Sequence, residues 1–379
     1  MIATMSIERA FWLAWSRVPG LGAVLQKRLY QHFGSLEVAW TASADELAAI
    51  EGVGEFTASL LVSERSRLNP MQLLRQHEQD NPKFWTPADA DYPCLLREIP
   101  DPPPLLYYRG EVLPSENTGE TPCIAIVGTR DPSDYGRRWT RKISAALARE
   151  GFTVVSGLAT GVDTEAHLTC LRTGGRTIAV LGTGVDLVYP WANRGLAKDI
   201  AECGLMLSEY PAGTQPDRVH FPRRNRIIAG LSRAVLVLEA PHKSGALITA
   251  RLANDYCRDV YALPGSLDSP RSKGCLDLLN HGAQVILGEG HLMELLGAMP
   301  HIQLVHSAPA KQLDLLEPTA IDLEPELEQV LQVVTQEPVA FDLIVQQVGL
   351  ATGAVLSALS QLEILGLIAA LPGMRYQRC

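Results

Sequence analysis

Short apolar runs and helix-period segments alternate along the middle of the chain. Aliphatic and β-branched residues cluster at Ile124–Val127, Thr153–Val155, Thr177–Leu181, Leu205–Leu207, Ala234–Leu238, Val260–Leu263 and Gln284–Leu287. Between them, apolar residues recur at helical spacing, for example over Tyr135–Glu150, Thr164–Arg172 and Ile248–Tyr256. Continuous apolar strands separated by helices predict a mostly parallel sheet covered on both faces, an α/β doubly wound, Rossmann-like domain. The Pro-rich stretch from Asn81 to Pro122 holds an extended Leu105–Gly110 and reads as an opening strand followed by a loop.

The flanking segments read as helical. Residues 1–80 contain Pro19-Gly20-Leu21-Gly22 and Glu51-Gly52-Val53-Gly54, each leading into a helix-period segment. A helix, a G-x-G turn and a helix resemble the helix-hairpin-helix (SAM-like) unit, which grips a DNA phosphate through backbone N–H groups. The basic residues near the first turn are Lys27 and Arg28, and none stands close to the second, so a structural role is the plainer expectation. Helical patterns over Glu324–Thr335, Phe341–Val348 and Thr352–Gly366, then a hairpin around Pro372-Gly373, resemble a winged helix. The expected organisation is therefore a helical domain at 1–80, the Rossmann-like domain at 81–300, a linker at 301–319 and a winged helix at 320–379.

Composition narrows the class. At 379 residues and 46% apolar, the chain exceeds one ordinary domain and has enough apolar surface to fold. No run of about 18 apolar residues occurs, and the start lacks the basic and apolar regions of a signal peptide, so a cytoplasmic location without membrane contact is expected. Seven cysteines without a C-x-x-C, and nine histidines without H-E-x-x-H, give neither a disulfide framework nor a metal site. The net charge of −9 argues against nucleic acid until its distribution is read. From Gly128 to Arg233 there are fifteen Lys and Arg against ten Asp and Glu, whereas Lys311 to Cys379 holds three against nine. A basic middle and an acidic tail imply different partners.

In doubly wound sheets ligands sit outside the carboxyl ends of the strands. The first strand is followed by Gly128-Thr129-Arg130, the second by Ser156-Gly157, the third by Gly182-Thr183-Gly184, all small or hydrogen-bonding residues that suit an extended anion. Neither G-x-G-x-x-G nor G-x-x-x-x-G-K-[ST] is present, which removes the usual dinucleotide and NTP readings, and no cofactor is expected. The sharpest feature is Phe221-Pro222-Arg223-Arg224-Asn225-Arg226, read as preceding a helix that opens at Ile227. Arginines at the positive end of a helix dipole are unfavourable, so they predict a bound anion, unless carboxylates elsewhere pair with them. Ser244-Gly245 offers another helix-start anion site, and Tyr189-Pro190-Trp191 beside Arg194 offers rings on which bases stack. The stripe Arg137, Arg138, Arg141 and Lys142 reads as a solvated helix face. Asp163 and His167 form a possible dyad without a nucleophile, Asp163 doubling as a helix cap, and Glu239 a general acid without a reaction.

Taken together, Ile124–Arg130, Val155–Asp163 with Ala166-His167, Val180–Asp186 with Tyr189-Pro190, Ser208–Pro211, Phe221–Gly230 and Ala262–Gly265 resemble the DNA-processing DprA/Smf family in order and spacing. The resemblance implies an extended Rossmann domain that binds single-stranded DNA, forms a homodimer and is not an enzyme. It implies a role in natural transformation: protecting incoming strands and loading the recombinase RecA. Carried over by motif, Arg130 is a principal DNA contact, Gly128, Ser156 and Gly157 supply donors, and Arg223 to Arg226 neutralise phosphates. Two positions depart from the family pattern: Gly274-Cys275-Leu276 where Gly-Thr-Asn is usual, and Trp191 where many relatives are basic. The alternative is a Rossmann-like nucleotide hydrolase, for which the usual glycine run is replaced by Phe221–Arg226. The helix from Thr352 carries no Lys or Arg, so the winged helix is expected to contact protein rather than DNA.

Overall fold

The structure, a computed structural model, describes residues 2–81, 83–297, 325–335, 337–365, 367–371 and 373–378. The expected linker at 301–319 lies outside the described residues. The chain divides into two compact units, Met1–Leu304 and Val305–Cys379.

The first unit opens with α1 (Ile2–Ser16), α2 (Ala23–Phe33), α3 (Leu36–Thr41), α4 (Ala44–Ala48), α5 (Glu55–Arg65) and α6 (Pro70–Asp80). Trp12, Trp15, Leu29, Leu36, Leu47 and Leu61 form their core. The two glycine turns do open helices: Gly22 and Gly54 are the N-cap residues of α2 and α5. The basic pair after the first turn is spent inside the protein. Lys27 Nζ donates to the carbonyls of Arg97, Glu98 and Ile99 at 3.2, 3.1 and 2.7 Å, and Arg28 donates to the Glu51 carbonyl at 2.6 Å. With Ala10, Leu13, Leu74, Phe84, Leu105 and Tyr107 in one cluster, the helices and the sheet share a core across residue 80.

The sheet is built from β1 (Phe84–Trp85), β2 (Leu106–Gly110), β3 (Cys123–Val127), β4 (Thr153–Ser156), β5 (Thr177–Leu181), β6 (Leu205–Ser208), β7 (Ala234–Val237), β8 (Asp259–Ala262) and β9 (Gln284–Val285). Their spatial order is β1-β2-β6-β5-β4-β3-β7-β8-β9. From β6 to β9 every pairing is parallel; β2 joins β6, and β1 joins β2, antiparallel. Between the strands run α7 (Cys94–Glu98), α8 (Pro114–Thr118), α9 (Asp134–Arg149), α10 (Val162–Arg172), α11 (Arg194–Cys203), α12 (His220–Leu231), α13 (Gly245–Asp255), α14 (Lys273–Asn280) and α15 (Glu289–Gly297). The apolar runs are continuous because both faces are covered. In β3, Ala125 and Val127 enter one core with α12 and α13, while Ile124 and Ile126 enter the other with Ile143 and Leu147 of α9. Each such buried aliphatic contributes roughly 1.5–3 kcal/mol, which fixes the register.

The second unit holds α16 (Pro325–Val333), α17 (Phe341–Val348), α18 (Thr352–Ile364) and a sheet of β10 (Val339–Ala340), β12 (Arg375–Arg378) and β11 (Ile368–Leu371), in that spatial order. Leu327, Val330, Ile344, Val355, Leu359 and Leu362 make its core. Three helices and an antiparallel hairpin are the winged helix read from the sequence. Among the described residues no single helix is long and apolar enough to cross a membrane, and no cluster of side chains is placed to hold a metal.

Candidate nucleic-acid interface

The order of the sheet creates a crevice at one place. Chain leaving β3 passes to α9 on one face, and chain leaving β7 passes to α13 on the opposite face. These neighbouring strands therefore part at their carboxyl ends, the topological switch point where doubly wound sheets bind ligands. A cleft of about 640 Å³ opens there. Gly128, Thr129, Arg130, Arg224, Asn225, Ser244 and Gly245 line it, together with Arg218, Tyr189, Phe221 and Ile248.

Arg130 is exposed at the end of the β3 turn, and no carboxylate pairs with it among the described residues. Its guanidinium lies 5.9 Å from the Phe221 ring centroid, and Phe221 lies 5.6 Å from Tyr189, with their planes 34° apart. A cation against one ring, with a second ring beside the first, can engage a phosphate and stacked bases together. Across the cleft Ser244 caps α13 and Gly245 is exposed at the positive end of that helix. The corresponding end of α9 is already occupied. Ser133 caps it, and Ser133 N–H and O–H both donate to Glu239, at 2.7 Å each. Glu239, 3% exposed, is thus a structural carboxylate rather than a general acid.

The expected arginine cluster is divided. Helix α12 starts at His220, not at Ile227, so Arg223, Arg224 and Arg226 occupy its first two turns. Pro222 fits there because the first-turn N–H groups have no intrahelical partner. Arg226 is 4% exposed; it donates to Glu209 at 2.6 Å and pairs with Asp101 at 3.2 Å. Its expected phosphate role is corrected: carboxylates far away in sequence neutralise it. Arg223 points away from the cleft, 3.5 Å from Glu209. Arg224 lines the cleft floor, 5% exposed, donating to the Gly157 carbonyl at 2.7 Å and to that of Val180. Burial pushes its pKa down to about 10, with Asp163 opposing the shift and Arg130 adding to it.

Four further expectations need correction. Ser156 is fully buried, and its hydroxyl donates to the Ile126 carbonyl at 2.7 Å instead of to a ligand. Gly157 N–H is taken by Asp163 Oδ2 at 3.1 Å, and Ala159 N–H by the same oxygen at 3.3 Å. This anion-binding turn is filled by the protein's own carboxylate, whose pKa is raised by burial. Asp163 sits inside α10, whose N-cap is Gly161, so it caps the preceding turn rather than its own helix. Gly182 is buried, and a Cβ there would lie 2.9 Å from Phe221, so the glycine serves the ring's close approach.

Arg194 lies outside the cleft but is exposed, its guanidinium 3.6 Å above the ring of Trp191, which is 62% exposed. His167 meets Thr177 at 2.7 Å, away from the loop amides that Asp163 holds, so the two serve different partners. Much of the Arg137–Lys142 stripe is neutralised: Arg137 and Arg141 reach Glu165, and Lys142 reaches Glu289. Sequence reading missed Arg218, exposed in the loop before α12, because no motif surrounds it.

Comparison with known proteins places this geometry. The sequence model for the family "DNA recombination-mediator protein A" matches residues 83–297, and that for the "DprA winged helix domain" matches residues 315–374. Protein Smf of a Synechocystis species is 53% identical over 98% of this chain and 99% of its own. The crystal structure of DNA processing protein A from Streptococcus pneumoniae superposes with a TM-score of 0.66 at 35% identity, covering 77% of this chain and 98% of that one. DNA processing protein A from Helicobacter pylori, a structure described for its single-stranded DNA binding mode, gives a TM-score of 0.51 at 34% identity, covering 57% and 96%.

Proposed function

The chain belongs to the DNA recombination-mediator protein A (DprA/Smf) family, and from that premise we propose that it binds single-stranded DNA without sequence preference along the carboxyl rim of its sheet. The observation that carries this reading is Arg130: an exposed guanidinium without a carboxylate partner among the described residues, at the switch point, beside Phe221 and facing the start of α13. Phosphates and base faces are common to every sequence, so guanidinium groups and rings select for a flexible strand rather than for a code. Arg218 and Arg224 add charge to the same cleft, where Asp163 is the one acidic lining residue among those described, and Tyr189 extends the stacking surface. A mononucleotide-hydrolysing centre has no support here, since Glu239, Asp163 and His167 are each committed to internal hydrogen bonds.

The family's description as a recombination mediator supports a further step, delivery of the strand to the recombinase RecA during transformation, by a homodimer joined through the α/β unit. Faster RecA filament assembly on protein-coated strands in its presence, and a dimer mass by sedimentation, are the expected results. The binding itself is tested by comparing single- and double-stranded oligonucleotides across salt. A single-strand preference is expected, with log affinity falling against log salt by about 0.7 per neutralised phosphate. Equal affinity for both forms would overturn the reading.

A further inference from the structure

A second cleft lies on the other side of the start of α12, between α1, α2 and the end of β6. It has a volume of about 210 Å³ and is lined by Arg17, Gly22, Gln26, Glu209, Tyr210 and Arg223, among others. We propose that it seats one further nucleotide of the strand held on the rim, base edge inward and phosphate at the mouth. The proposal rests on the rim reading.

The floor carries buried polar atoms that have no hydrogen-bond partner among the described residues. Gln26 is fully buried; its amide nitrogen donates to the Trp12 carbonyl at 2.7 Å, and its Oε1 has no partner among the described residues. Glu209 has a side chain 6% exposed. Its Oε2 takes Arg226 at 2.6 Å and Arg223 at 3.5 Å, while Oε1 is unpartnered. The Tyr210 hydroxyl is also buried and unpartnered, its ring stacked 4.0 Å from that of His220. Buried acceptors left unpaired are costly, so these atoms call for a donor. Every nucleobase has an N–H on its pairing edge. Arg226 and Arg223 offset the Glu209 charge, so the cleft does not repel a phosphate.

The mouth has the opposite chemistry. Arg17, a basic residue just before the first glycine turn that sequence reading missed, is exposed, with no carboxylate partner among the described residues. Gly22 is the N-cap of the eleven-residue α2, and no side chain caps that helix among the described residues. Exposed amides at the positive end of a helix, flanked by Arg17 and Arg223, suit a phosphate. The volume equals on the order of seven waters at about 30 Å³ each, room for one ring system rather than a larger ligand. Continuity comes from α12 itself: Phe221 and Pro222 line the rim cleft, and the next residue, Arg223, lines this one.

The test titrates the full-length protein with oligothymidylates from about four to about sixteen nucleotides, the range of single-strand site sizes. Wild type is compared with Arg17→Ala and Ala23→Glu; Ala23 lines the cleft at the first position of α2. An acid there favours the helix yet opposes a phosphate, so a folding defect is not expected. The short oligonucleotide should bind all three proteins alike. The long one should bind wild type more tightly, with Arg17→Ala flattening its salt slope by about 0.7 and Ala23→Glu removing the length advantage. If the long oligonucleotide gains nothing in wild type, or both variants keep the gain, the proposal is overturned. It is also overturned if thymidine monophosphate binds this cleft while length has no effect, for then it is a free-nucleotide site. Failure of the rim reading would show separately, as short-oligonucleotide affinity indifferent to Arg130→Ala.

Discussion

Asp163 and Arg224 hold the same residue from its two polar sides: Asp163 Oδ2 accepts the Gly157 N–H at 3.1 Å, and Arg224 Nη1 donates to the Gly157 carbonyl at 2.7 Å. The loop after β4 is thereby fixed between opposite charges that also set the cleft floor. A Cβ at residue 157 would lie 2.5 Å from the Arg224 guanidinium. Gly157→Ala should therefore cost about 1–3 kcal/mol, the usual range for overpacking, read as a lower urea midpoint. It should also weaken single-strand binding, because Arg224 must shift; a variant with wild-type stability would contradict this role for the glycine.

Two arginines three residues apart should behave oppositely. Arg226 is 4% exposed and paired with Glu209 and Asp101, so Arg226→Ala leaves buried charge uncompensated and should cost about 3–5 kcal/mol. Arg223 has a side chain 55% exposed, and Arg223→Ala should change stability by less than about 1 kcal/mol. Chemical denaturation of the two variants decides. Similar stabilities would mean that the Arg226 pair is not the structural element described here.

Much of the fold can be read from the sequence because burial on both faces leaves β3 to β8 as apolar runs, and observed strand ends fall within two residues of the expected ones. The loops of the site were also legible: Gly128, Thr129, Arg130, Ser244 and Gly245 do meet at the switch point. The assignment of charges was not. Whether an arginine faces solvent or a carboxylate depends on Glu209 and Asp101, placed by other elements, and no local pattern reports that. The same holds for Asp163, whose carboxylate fills the turn that resembled an open anion site.

His167 makes stability depend on pH. Its Nδ1 lies 2.7 Å from Thr177 Oγ1, whose own proton goes to the Val154 carbonyl, so Nδ1 carries the hydrogen, and the buried Nε2 has no partner among the described residues to receive a second one. Burial first, then the Arg224 charge, lower its pKa from 6.5 to about 3. The unfolded chain therefore takes up the proton first. The stabilisation is complete above pH 6.5 and is lost as pH falls toward 3, by about 1.4 kcal/mol per unit. His167→Asn keeps a donor for Thr177 without titrating. The stability difference between wild type and this variant should shrink by that slope between pH 6.5 and 4; a constant difference would show that the ring is not held neutral.

The winged helix should be dispensable for strand binding. Helix α18 has no Lys or Arg, and a recognition helix without cations does not attract phosphates. A chain ending at residue 304, the boundary of the first unit, should keep its single-strand affinity in an anisotropy titration. A large loss would move part of the interface to the second unit.

The seat of the strand itself is tested most directly at Arg130. Anisotropy titrations of Arg130→Ala with oligonucleotides of several sequences, between about 50 and about 200 mM salt, should show affinity reduced alike for all of them and a salt slope shallower by about 0.7, with thermal stability unchanged. Affinity and slope equal to those of the wild type would place the strand away from the switch-point cleft and contradict the account.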